Sequence, residues 1–112
     1  MKRVGNLCCG GALLSIVLMV SADALAQSAV AGLVEEQHCM FCHTTEGADL
    51  APSFPKIAQR YRMSPGASVM LEKKLLAGGK PHWGDITMPE ADPVPPLSAD
   101  DAHTLIQWVL GQ

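Results

Sequence analysis

Cys39-Met40-Phe41-Cys42-His43 constrains this chain more than any other stretch of it. Two thiols two residues apart close almost no loop, so a disulfide between them adds little to a fold. Such a disulfide also leaves the histidine that follows without a purpose. A thioredoxin-like redox pair belongs in a βαβ setting, which the sequence lacks. A structural zinc site needs four ligands, and the other histidines, His38, His82 and His103, form no second pair at finger-like spacing. The arrangement is instead the C-x-x-C-H pattern of covalent haem c attachment. Two thiols so spaced at a helix end reach the two vinyl groups of one porphyrin as thioethers. The next residue then falls under the iron, where an imidazole nitrogen ligates it. Cys39 and Cys42 are therefore the expected attachment points, and His43 the expected axial ligand.

Such attachment happens outside the cytoplasm, and the amino terminus agrees. Lys2 and Arg3 precede an apolar run from Val4 to Ala22, densest at 12–20, and Ala24-Leu25-Ala26 follows. A charged start, a short apolar core and a small-x-small exit together make a secretory signal peptide. A transmembrane anchor needs roughly 20 apolar residues, and this run is borderline in length. Residues 1–26 are thus expected to be a cleaved signal, taking Cys8 and Cys9 with them. The expected location is the periplasm, with no stable membrane insertion after cleavage.

Residues 27–112 remain, enough for one small domain. A chain this short has difficulty burying a sufficient core alone and needs a bound group to complete it. Its six Lys/Arg and ten Asp/Glu give a net charge of −4. That balance argues against nucleic acid as a partner. The charges are also segregated. Residues 51–84 carry +5, whereas the flanks 27–50 and 85–112 together carry −9.

No strand-like alternation or internal repeat is visible, and the expected fold class is all-α. Val30, Leu33 and Val34 form an apolar stripe at helical spacing over about 28–37. Ser64-Pro65 reads as a cap and first helical residue, opening a helix through Met70, Leu71, Lys74 and Leu75 to Gly78-Gly79. Ser98, with Asp101 three residues on, opens a last helix with Ala102, Leu105, Ile106 and Val109 on one face and Trp108 alongside. A shorter helix is expected over 54–61. His103 shares a polar face with Asp100 and Gln107 and reads as solvated.

Between Gly78 and Ser98 lies a loop holding Pro81, Pro89, Pro93, Pro95 and Pro96. A long connection in so small a domain is usually functional, and prolines stiffen it without a hydrogen-bond ladder. Such a strap can lay a side chain over the far face of the haem. Of the methionines, Met40 is caught between the thioether cysteines, Met70 sits on a helical apolar stripe and Met63 abuts a helix cap. Met88, within the strap and followed by Pro89, is the expected second iron ligand. His82 in the same loop is its rival.

The helix leading into CMFCH, Ala51-Pro52 after it, the stretch GGKPHWGDITMPE and the closing helix DDAHTLIQWVL together resemble the small bacterial class I cytochromes c. The resemblance implies helices wrapped around one covalent haem c. It implies that Pro52 offers its carbonyl to the second nitrogen of His43, and that Trp83 and Lys74 bond to or pair with haem propionates. The chain departs from the family pattern at Thr87, which replaces a proline usual before the ligand methionine. It departs again at Ala91, which stands where an asparagine often steadies the sulfur.

With both axial positions filled by protein, the iron has no open site, so the expected role is electron transfer and not catalysis. The expectation is a monomeric carrier between transient redox protein partners. The alternatives are a haem subunit dedicated to one dehydrogenase, or a haem sensor or enzyme with a labile distal ligand.

Overall fold

Helix α4, Ala99–Leu110, is the element around which the others assemble. Ser98 caps it: its hydroxyl accepts from the Asp101 N–H at 3.0 Å and donates to the Asp101 carboxylate at 2.7 Å. Asp100 and Asp101 place negative charge in the first turn, where the helix dipole favours it. Ala102, Leu105, Ile106 and Val109 are buried at helical spacing. Ser98→Ala is expected to lower holoprotein stability by about 1 kcal/mol, or roughly 4–8 °C in melting temperature. An unchanged thermal midpoint in the holoprotein would deny the cap any role.

The structure, a computed structural model, describes residues 17–46, 50–80, 86–91 and 96–112, with side chains from Ala22 onward. Its order is α1 (Val17–Glu36), a 3-10 turn (Cys39–Phe41), α2 (Phe54–Tyr61), α3 (Ala67–Ala77) and α4. There is no strand among the described residues, only an isolated bridge between Gly79 and Met88. α1, α2 and α3 each pack against α4. Val34 from α1, Leu75 from α3 and Ala102, Leu105 and Ile106 from α4 form the central cluster.

Two elements begin where the sequence did not suggest. α1 starts well before residue 28, because nothing in the preceding apolar run or in Ala24-Leu25-Ala26 breaks a helix. Its packing nevertheless begins only at Val30; residues 22–29 are exposed, Leu25 by 70%. Among the described residues no helix is long and apolar enough to cross a membrane. α3 starts at Ala67, not at Pro65, with Gly66 at φ 74° as its cap residue. Ser64 and Pro65 form a turn that closes on α2 through Ser64 N–H to the Tyr61 carbonyl at 2.9 Å. The backbone reversal needed between α2 and α3 overrides the local cap signal there, and glycine supplies the left-handed residue at low cost.

α2 occupies 54–61 as expected, burying Phe54 and Ala58. Just beyond it, Arg62 Nε donates to the Leu110 carbonyl at 3.1 Å, and a second guanidinium nitrogen donates to the Gln112 carbonyl. The pair ties the end of α2 to the end of α4.

α3 and α4 are joined by a polar bridge as well as by apolar packing. Ser68 donates to Glu72 at 2.7 Å, Gln107 donates to Ser68 at 2.9 Å, and His103 Nδ1 lies 2.8 Å from the Glu72 carboxylate. The Ser68 hydroxyl, then His103, holds the Glu72 carboxyl below its usual range. His103 is therefore paired across the helix interface, not merely solvated. Met70 likewise departs from its expected core position and is exposed.

Candidate functional site

The approach to the two cysteines turns on one residue. His38 takes φ 52° and ψ 29°, the only left-handed backbone outside glycine among the described residues. Such a conformation costs on the order of 1 kcal/mol or more, and here it swings the chain out of α1 into the 3-10 turn. Its ring stacks on Phe41 with centroids 5.1 Å apart. Cys39 and Cys42 follow, both half-buried and not joined to each other, and both line a cleft bounded by α1, α3, α4 and the strap. Burial pushes the Cys39 thiol up from its ordinary pKa, with a hydrogen bond at its own backbone opposing.

His43 faces the same cleft and is held from two sides. Its Nδ1–H donates to the Pro52 carbonyl at 2.8 Å. With that nitrogen protonated, Nε2 carries the lone pair that a metal needs, and the ring orientation is set. Phe54 stacks on the His43 ring at 5.5 Å and meets Trp108 edge-on at 5.0 Å, so the imidazole rests on an aromatic column rooted in α4. Two backbone bonds hold the column in register: Ala51 N–H to the Cys42 carbonyl at 3.2 Å, and Phe54 N–H to the Thr44 carbonyl at 3.0 Å. The sequence carried Phe54 and Trp108 as apolar helix residues, but nothing in it paired residues so far apart.

Met88 enters from the strap and is half-buried against the central cluster. Among the described residues it is the one methionine on the cleft wall; Met40 and Met63 are exposed by 45% and 89%, and Met70 also faces away. Lys74 lines the cleft too, and its ammonium donates to the Gly79 carbonyl at 2.8 Å and to the Lys80 carbonyl. Trp83 and His82 lie outside the described residues.

The cleft walls are overwhelmingly apolar: Ile57, Leu71, Ile86 and Trp108 add to the residues above. Two free thiols, a tautomer-locked imidazole and a thioether on one apolar surface suit a flat hydrophobic group with a metal at its centre. They suit neither a disulfide nor a polar substrate. The described residues contain no cluster of three or more His, Cys, Asp or Glu that would hold a bare ion.

The Cytochrome c family model matches residues 28–112. The chain belongs to the cytochrome c family. Cytochrome c-551 of Allochromatium vinosum is 37% identical over 93 residues, covering 81% of this chain and 96% of that protein. Cytochrome c-551 of Pseudomonas aeruginosa is 33% identical over 99 residues, covering 85% of this chain and 91% of that one. The crystal structure of Nitrosomonas europaea cytochrome c552 superposes with a TM-score of 0.64 at 31% identity, over 72% of this chain and 96% of that one. The fold is that of a small class I cytochrome c, and this cytochrome carries one covalently attached haem c with its iron.

Proposed function

We propose that this cytochrome is an exported, soluble one-electron carrier whose haem c is held through Cys39 and Cys42 and whose iron is ligated by His43 and Met88. The observation that carries the reading is the pairing of a tautomer-locked His43 and a single methionine, Met88, on one apolar cleft. Haem iron supplies one-electron oxidation and reduction, and a histidine–methionine pair raises its potential. The chain's own residues do the rest. Pro52, Phe54 and Trp108 hold the His43 ring, and the apolar walls keep water from the cleft. The stiff strap carries Met88 in place through both redox states, so little rearrangement accompanies electron transfer. Residues 1–26 act as a cleaved export signal and deliver the chain to the periplasm.

Partner proteins meet this carrier transiently. The acid-rich terminal helices α1 and α4 pack together. Lys73 and Lys80 are exposed in the basic middle of the chain. Charge so divided orients the molecule during encounter and raises association rates. Electron transfer to the native acceptor is therefore expected to slow by about tenfold or more between low and physiological ionic strength, as screening shortens to roughly 8 Å. Lys73→Glu combined with Lys80→Glu should lower the association rate while leaving the potential in place, as stopped-flow mixing and voltammetry would report. A rate indifferent to salt and to both reversals would assign docking to apolar contact instead.

A further inference from the structure

Met88 belongs to a segment that the carboxyl end of α3 grips by its backbone. The Gly79 N–H donates to the Met88 carbonyl at 2.8 Å across that bridge. The Gly79 carbonyl in turn accepts from Lys74 Nζ at 2.8 Å, and the same ammonium donates to the Lys80 carbonyl. One residue earlier, Gly78 adopts φ 59° and ψ −140° directly beneath the strap. A Cβ at position 78 would lie 2.5 Å from the Glu90 nitrogen and the Pro89 carbonyl carbon, and 2.6 Å from the Pro89 oxygen. Those are backbone atoms, which cannot swing aside as a side chain would. Position 78 requires glycine twice over, for its φ and for the approach of the strap.

We propose that Gly78, Gly79 and Lys74 form a latch that sets the position of Met88, with the Lys74 ammonium as its pin. All three are positioning residues for Met88. A proline-rich strap has few N–H groups with which to anchor itself, so each tether it has matters more. The tether from Lys74 is charge-assisted and therefore stronger than a neutral bond. Groups that orient a metal ligand from behind decide how firmly that ligand holds. The latch gives Lys74 a role inside the chain, separate from the propionate pairing that the family resemblance implies. Its spectroscopic consequence rests on the reading of Met88 as distal ligand; its backbone consequence does not.

The test compares wild-type holoprotein with the Gly78→Ala and Lys74→Met holoproteins. Two readouts are taken: hydrogen exchange at the Gly79 amide, and the far-red sulfur-to-iron absorption of the oxidised form. In both variants the Gly79 amide should exchange about tenfold faster or more. Both should keep covalent haem yet lose far-red absorption and gain carbon monoxide binding when reduced. If Gly78→Ala yields no folded holoprotein, Lys74→Met alone decides. Unchanged Gly79 protection and an unchanged far-red band in Lys74→Met, with only the pH dependence of the potential altered, would overturn the latch and leave Lys74 a propionate partner. Faster Gly79 exchange in a protein whose spectrum ignores Met88→Ala would instead sink the ligand reading and leave the latch standing.

Discussion

The Cys39→Ser, Cys42→Ser double variant, stripped of haem by acid extraction, is expected not to fold. Among the described residues nine apolar side chains are buried, three of them alanines, and no large side chain is completely covered. Ile57, Leu71, Met88 and Trp108 are only half-buried and face the cleft. Covering the remainder of each against a bound apolar group is worth about 1 kcal/mol or more per side chain. A domain of this length has a total stability of roughly 4–13 kcal/mol, so those contacts are comparable with the lower end of its whole margin. The thioether tethers add a further constraint on the unfolded chain. Circular dichroism should show far-UV helicity largely lost and no cooperative melt, whereas the wild-type holoprotein, whose haem resists extraction, should melt in one step. A stripped double variant melting cooperatively in the ordinary mesophilic range of about 45–65 °C would show that the helices are self-sufficient.

Met88→Ala carries the second large effect. If the Met88 thioether is the distal ligand, its removal opens one axial position while His43, held by Pro52 and Phe54, stays in place. The far-red sulfur-to-iron band should disappear completely. The reduced variant should bind carbon monoxide, and its midpoint potential should fall by more than about 59 mV, the one-electron equivalent of a factor of ten. Met63→Ala and Met70→Ala, at exposed positions off the cleft, should leave all three readings where they were. A silent Met88→Ala alongside a disruptive Met63→Ala would reverse the assignment.

What could be read from the residues alone followed how local each determinant is. Ser98 and Asp101 lie within one turn, and α4 begins where they say. α2 spans 54–61 because its apolar spacing and early proline are local too. The start of α3 escaped because Ser64-Pro65 mimics a cap, while the turn back onto Tyr61 is a tertiary demand met by Gly66. Met70 escaped for a related reason: it shares a helical stripe with Leu71 and Leu75, yet α4 and the cleft cover only part of that stripe. The pairing of His103 with Glu72 spans 31 residues, and that of Phe54 with Trp108 more, so no local pattern announces either. Gly78 is the clearest case. It reads as a helix stop, but its stricter requirement comes from Pro89 and Glu90 passing over it. The C-x-x-C-H pattern, by contrast, lies within five consecutive residues, so the haem c that the family carries could be expected before any fold.

If Met88 ligates the iron opposite His43, this chain closes the iron from both sides and fits it to carry electrons, not to bind substrate. Adding carbon monoxide to the dithionite-reduced wild-type holoprotein at neutral pH, and recording the visible spectrum, tests it most directly. With both axial positions filled, the spectrum should not change over hours. Prompt formation of a carbon monoxide adduct in the wild type would contradict it, and would make the protein a sensor or enzyme with a distal position open to ligands.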